Sequence, residues 1–65
     1  MNNYLIKYYT TNCHKQIQVT EMKKLYLKTL KACKRKATSN VPYRTEVIAI
    51  YELDTSKLIE QIFVN

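Results

Sequence analysis

The chain has 65 residues, of which 46% are apolar and 25% are charged, and its formal net charge is +6. This length predicts one small domain, residues 1–65, and the composition is typical of a globular protein, not of a disordered tail. There is no glycine and one proline, which excludes the glycine-rich loops of P-loop and dinucleotide-binding proteins. No apolar segment approaches the roughly 18 residues of a membrane span, and the start is too polar for a signal peptide, so a cytoplasmic protein is expected.

Charge is divided unevenly along the chain. Residues 1–45 hold ten Lys or Arg and a single Glu, a net +9, whereas residues 46–65 hold one Lys and four acids, a net −3. A protein this basic is attracted to polyanions. Heavy use of Lys, Asn, Ile and Tyr is also what an AT-rich genome produces, so part of the charge has a second explanation in codon bias.

The first predicted element is a strand over residues 4–10, in which Tyr4, Ile6 and Tyr8 share one face. Residues 11–14 are polar and typical of a turn. Residues 15–19 alternate again, with Ile17 and Val19 on one side. The pattern predicts an N-terminal β-hairpin and the element order ββαββ, or βαββ if residues 15–19 form a loop.

A helix is predicted next, capped by Thr20 and ended by Asn40 in the left-handed conformation and by Pro42. On a helical wheel, one arc of about 100° collects the residues expected to face the core: Met22, Tyr26, Thr29, Leu30, Cys33 and Ala37. A second arc collects six cations: Lys23, Lys24, Lys28, Lys31, Lys34 and Arg35. The segment is therefore expected to be both the core helix and a basic surface.

Residues 46–53 and 57–64 are predicted to form two further strands around a turn. If Leu53 faces Leu58, one face contains a single acid, Glu60, among apolar residues: Val47, Ala49, Tyr51, Leu53, Leu58, Ile62 and Val64. The other face then carries Ile48, Ile50, Ile59 and Phe63.

These elements predict an α+β fold, a four-stranded antiparallel sheet with one amphipathic helix packed on one face. The helix leaves the second face uncovered. An apolar patch on so small a protein is usually an interface, so Ile48, Ile50, Ile59 and Phe63 are predicted to contact a protein partner or a second copy. The alternative, weighted equally, is that these residues are strand formers tolerated at the surface.

The sequence offers little for metal or catalytic chemistry. Cys13, His14 and Cys33 are the metal-type residues, but a structural zinc site needs four ligands and adjacent residues in a strand point apart. Both cysteines are expected to be thiols in a reducing cytosol. No third group orients a Cys–His pair. No metal, cofactor or enzymatic activity is predicted.

The preferred functional hypothesis is a small binding module whose basic helix face contacts nucleic acid, or a complex that carries it, through phosphates. A solvated helix face is the plain alternative, but the scarcity of acids on this helix favours a function. Tyr9 and Tyr43 are candidates for stacking on bases. Membrane binding is not expected because the apolar arc is needed for the core.

The alternative hypothesis is a protein-binding inhibitor or adaptor. It would use the sheet face, or the basic helix against an acidic partner. Phage-encoded proteins that act on host machinery are often this small. The hypothesis of a phage-encoded inhibitor depends on this similarity of size alone.

Overall fold

The computed structural model of the chain describes residues 2–64, so Met1 and Asn65 of the predicted domain lie outside the described residues. It contains five elements: β1 (Asn2–Thr11), β2 (Ile17–Leu27), α1 (Leu30–Ser39), β3 (Val47–Glu52) and β4 (Lys57–Phe63). The strands form one antiparallel sheet in the order β2-β1-β3-β4. The predicted α+β fold and the order ββαββ are confirmed. In the described part of the chain, no helix has the length and apolar character needed to cross a membrane.

The N-terminal hairpin follows the predicted alternation. Tyr4, Ile6 and Tyr8 of β1 are buried and face α1, since the Tyr8 hydroxyl donates a 2.8 Å hydrogen bond to the Ala37 carbonyl. Asn12 shapes the turn, because its side-chain oxygen accepts hydrogen bonds from two backbone N–H groups further along the turn, those of His14 and Gln16. Asparagine favours such turns for this reason.

Strand β2 is longer than predicted, and it occupies the first half of the predicted helix. Residues 21–27 pair with residues 2–8 of β1, so Thr20 is not a helix cap, and Met22 and Tyr26 are exposed instead of buried. The physical reason is that β1 is a long inner strand whose backbone groups need partners along their whole length. Residues 21–27 also alternate well enough for a strand, which pairs those groups at once.

Thr29, which the helical wheel places among the core residues, is instead the N-cap of helix α1. Thr29 has an extended backbone, and its hydroxyl accepts a 3.1 Å hydrogen bond from the Ala32 N–H, as an N-cap does. Cys33 and Ala37 are buried against the sheet, as predicted. At the other end Asn40 has φ −145°, so it is not left-handed as predicted.

The register of β3 and β4 differs from the predicted one. Ile50 pairs with Glu60, and after an irregularity Tyr51 pairs with Leu58, so Leu53 does not face Leu58. This slip places Glu60 beside Ile50 on the side of the sheet that faces α1, whereas the preferred register had placed it on the face of Val47, Ala49 and Tyr51. The structure accommodates it because the Lys34 ammonium lies 2.8 Å from the Glu60 carboxylate and supplies a counter-charge.

The pairing of β3 with β1 reverses the predicted sides of β3. Ile48 and Ile50 pair with Tyr8 and Ile6 of β1 and are fully buried, so the prediction that they form an exposed interface is wrong. Ile59 and Phe63 are exposed, as that prediction requires. The core lies between one sheet face and α1, and its buried members are Tyr4, Ile6, Tyr8, Cys33, Ala37, Ile48 and Ile50.

Candidate functional site: the uncovered sheet face and the outer helix surface

The sheet face opposite α1 consists of three rows of cross-strand neighbours, each running from β2 through β1 and β3 to β4. The rows are Val19, Tyr9, Val47, Phe63; then Met22, Lys7, Ala49, Gln61; then Lys24, Leu5, Tyr51, Leu58. We call these residues the uncovered face. It is mostly apolar, and its only charges are the two lysines.

Several of its apolar side chains are open to solvent. Met22 is 60% exposed at one edge of the sheet and Phe63 is 72% exposed at the other. Ile17 and Tyr26, near the two ends of β2, are also exposed on this side and extend the patch. Monomeric proteins rarely expose apolar patches of more than a few hundred Å² without a function for them.

Two tyrosines fix the middle of the uncovered face. The Tyr9 and Tyr51 hydroxyl groups are 3.1 Å apart and border a shallow depression of about 200 Å³. The pKa of Tyr9 is raised to about 12 by burial and by two effects of Tyr51: its hydrogen bond with Tyr9 and the negative charge of an ionised Tyr51. Tyr9 is therefore neutral at physiological pH, and its half-buried ring differs from the open stacking surface predicted for it.

Lys7 lies beside this pair. Its ammonium is 5.1 Å from the centroid of the Tyr51 ring, within the range of a cation–π interaction. Among residues 2–64, no carboxylate lies within ion-pair distance of Lys7 or Lys24. The uncovered face therefore presents positive charge without an internal counter-charge.

The six cations predicted to share one helix face do not share one surface. Lys23 and Lys24 are in β2 and point to opposite sides of the sheet. Lys23 lies 3.6 Å from the Glu21 carboxylate and 5.2 Å from the Tyr8 ring, and Lys34 pairs with Glu60. Lys23 and Lys24 are separated from the predicted stripe because their half of the segment is a strand. Lys34 is in α1 but is engaged by Glu60 of β4.

Four other cations are exposed in or beside α1. Lys31, Arg35 and Lys36 are exposed on α1, and Lys28 is exposed in the connection between β2 and α1. We call these four residues the helix cation cluster. In the part of the chain that the structure describes, none of them forms an ion pair. The cluster is smaller than predicted and carries a charge of +4.

The other residues with reactive side chains are dispersed. Cys13 is exposed and Cys33 is buried, both as free thiols, and burial raises the pKa of Cys33, which disfavours a reactive thiolate. Within residues 2–64, no three His, Cys, Asp or Glu side chains come together as a metal site. Tyr43, the second predicted stacking residue, is 87% exposed on the loop between α1 and β3.

Sequence reasoning missed most of the uncovered face. Met22 and Tyr26 were assigned to the core side of a helix, and Tyr51 and Leu58 to the buried side of the sheet. The alternation of residues 17–27 was a usable signal, because a strand over this range places Val19 and Met22 on the same side once the irregularity between them is included.

Comparison with known proteins adds no family assignment. No protein-family model matches the chain, and no significant match is found among curated proteins or solved structures. The function is therefore inferred from the surfaces themselves.

Proposed function

We propose that this protein is a non-enzymatic binding module that docks a protein partner through the uncovered face. The supporting observation is the exposure of large apolar side chains, Met22 and Phe63 above all, on a sheet face that α1 does not cover. This is the inhibitor or adaptor hypothesis, supported on a different set of residues from the one predicted.

The energetics favour a partner on this side. Each Å² of apolar surface removed from water contributes about 25 cal/mol to the free energy of association. Met22 and Phe63 expose most of their side-chain surface, which a partner can bury. The strands are fixed by pairing with their neighbours, so the face is already rigid before it binds. Rigidity lowers the entropic cost of association. The two free thiols suit a reducing compartment, which supports our proposal of a cytoplasmic location.

A pull-down from a lysate of the native cells, treated with nuclease, tests the proposal. We expect wild type to capture a protein partner and Phe63→Lys to lose it. Tyr43→Lys is the matched control, because it makes the same apolar-to-lysine change at an exposed aromatic residue away from the face. Capture that depends on nucleic acid, or that survives Phe63→Lys, contradicts the proposal.

A second candidate function is supported by the helix cation cluster. Four exposed cations without carboxylate partners in residues 2–64 suit contacts with the phosphates of a nucleic acid, in a mode with weak sequence specificity and strong salt dependence. This keeps the preferred sequence hypothesis on Lys28, Lys31 and Arg35 and adds Lys36 to it. Lys23 and Lys34 are weaker candidates because each has a carboxylate neighbour.

A gel shift at several salt concentrations tests this second function. The triple change Lys28→Glu, Lys31→Glu and Arg35→Glu is expected to abolish binding to DNA and RNA while the fold is retained. The control is Lys15→Glu, Arg44→Glu and Lys57→Glu, which alters the net charge equally outside the cluster. Equal losses in both variants indicate diffuse attraction to a basic protein and contradict a site on the helix.

A further inference from the structure

We infer that the partner of the uncovered face is an acidic protein segment, one that places a carboxylate against Lys7 among its own apolar side chains. This inference rests on the proposed docking function and specifies the chemistry of the partner. It concerns charge complementarity at the centre of the face, not the overall charge of the protein.

The position of Lys7 carries the inference. Lys7 is on β1, an inner strand, and its cross-strand neighbours are Met22 and Ala49. Its side chain is half-buried, with the ammonium held over the Tyr51 ring at 5.1 Å. Any partner that covers Met22 on one side and Phe63 on the other must also cover Lys7, so this cation does not lie at the wet rim of the interface.

Covering Lys7 requires a counter-charge. A buried ammonium without a partner is strongly unfavourable, whereas a hydrogen-bonded carboxylate offsets much of the desolvation cost. The uncovered face itself holds no Asp or Glu. The carboxylate must therefore come from the partner. Lys24, a diagonal neighbour of Lys7 across β1 and β2, offers a place for a second one.

A second copy of this chain does not meet the requirement. Two uncovered faces packed against each other bring together Lys7 and Lys24 from both copies, and no residue in the three rows of the face carries a carboxylate. Glu46 borders the face beside Tyr9 and Val47, but its carboxylate already accepts a hydrogen bond from the Thr11 N–H. Glu21 and Glu60 lie on the opposite side of the sheet and are already engaged by Lys23 and Lys34. Like charges at the centre of an interface disfavour association.

Single-stranded nucleic acid fits less well than an acidic protein segment. Phosphates meet the charge requirement, but base stacking needs open aromatic rings. The open rings on this side, Tyr26 and Phe63, lie on opposite edge strands of the sheet. In the middle of the face, the Tyr51 ring is already occupied by Lys7, and the Tyr9 and Tyr51 hydroxyl groups bind each other. The aliphatic residues of the face, such as Leu5 and Val47, match apolar side chains of a protein.

A selection from a displayed random-peptide library against the full chain tests this chemistry. We expect enriched peptides to combine Asp or Glu with apolar residues and to lose binding to Phe63→Lys. Their affinity is expected to fall roughly tenfold for Lys7→Met and less than about twofold for Lys31→Met. Lys31→Met is the matched control, since it removes the same charge from the exposed helix surface.

The outcomes separate the inference from the proposed function. Peptides without acids that still need Phe63 leave docking intact and overturn the requirement for a carboxylate. Equal losses of peptide affinity for Lys7→Met and Lys31→Met also overturn the requirement for a carboxylate at Lys7, because they indicate attraction to the net charge of the protein. Peptide binding unchanged by Phe63→Lys overturns docking itself. A dimer of the wild-type chain that Phe63→Lys dissociates in sedimentation assigns the face to a second copy and overturns the acidic partner.

Discussion

The two faces of the sheet are built from the same four strands but reach opposite states. Beneath α1, Ile48 and Ile50 are fully buried, whereas on the other side Met22 and Phe63 remain mostly exposed. The charges differ in the same way: Glu60 under the helix is paired with Lys34, but no described residue neutralises Lys7 or Lys24. The face under α1 has its apolar side chains buried and its charge paired within the chain. The uncovered face exposes apolar side chains and unpaired lysines that a partner can contact.

The largest expected effect comes from placing the same substitution on each face. Ile50→Lys buries an unpaired ammonium in the core and is expected to cost about 4 kcal/mol or more, enough to unfold a domain of this size. Phe63→Lys is expected to change the free energy of unfolding by about 0.5 kcal/mol or less. Urea denaturation followed by circular dichroism measures both. Similar losses in the two variants would show that the uncovered face is part of the core.

The pH dependence of stability probes the centre of the uncovered face. The pKa of Tyr9 is raised to about 12 in the folded chain, above its ordinary value of about 10. Folding therefore favours the neutral phenol. Its contribution is fully present below pH 10 and is lost as the pH rises towards 12.

Tyr9→Phe isolates this effect from the titration of other groups. We expect the free energy of unfolding of the variant to fall less steeply than that of wild type between pH 10 and 12, an expectation that follows from the raised pKa of Tyr9. In Tyr51→Phe, absorbance near 295 nm should show the pKa of Tyr9 moving towards its ordinary value, while burial keeps it raised. Parallel slopes in wild type and Tyr9→Phe would refute the account.

The start of the helix determines which residues reach the uncovered face, and capping tests it. Thr29→Ala removes the hydrogen bond to the Ala32 N–H and is expected to cost about 1 kcal/mol with a loss of helical signal at 222 nm. Thr20→Ala is expected to cost less, since that hydroxyl makes a long 3.3 Å contact within the hairpin. A larger loss for Thr20→Ala would support the longer helix predicted from sequence.

The smallest expected effect concerns the charges of the two faces. Lys34→Met removes the counter-charge of Glu60, and because both side chains are partly exposed the expected cost is at most about 1 kcal/mol. Lys24→Met, on the uncovered face, is expected to have no measurable effect. The double variant Lys34→Met with Glu60→Gln should regain part of the loss, and additive losses in a double-mutant cycle would exclude coupling between the pair.

Local sequence pattern was sufficient where one period dominated. In β1, Tyr4, Ile6 and Tyr8 alternate with residues whose side chains lie outside the core. The face predicted to be buried is the buried face. The composition and the chain-order pattern also predicted ββαββ. By contrast, residues 21–27 fit a strand and a helix about equally, and the choice depends on the long strand β1, a partner that no local window includes.

The sides of β3 were unpredictable for a related reason. The residues on both sides of this strand are apolar, so hydrophobicity alone does not show whether the side with Ile48 or the side with Val47 faces the core. The choice follows from pairing with β1 and from Lys34, which makes the position of Glu60 under the helix tolerable. An ion pair between a helix and a distant strand leaves no trace in local periodicity. Of the four residues predicted for an exposed sheet patch, Ile48 and Ile50 are buried, Phe63 lies on the uncovered face, and Ile59 is exposed but outside its three rows.

Site-specific photo-crosslinking tests the central claim, that the uncovered face binds a protein, most directly. Phe63 is replaced by benzoylphenylalanine in one variant and Tyr43 in another, since both side chains are exposed aromatics, and each variant is irradiated in an extract of the native cells after nuclease treatment. The account predicts a discrete protein adduct from position 63, absent from position 43 and lost on Lys7→Met. No adduct from position 63, or equal adducts from both positions, would contradict it.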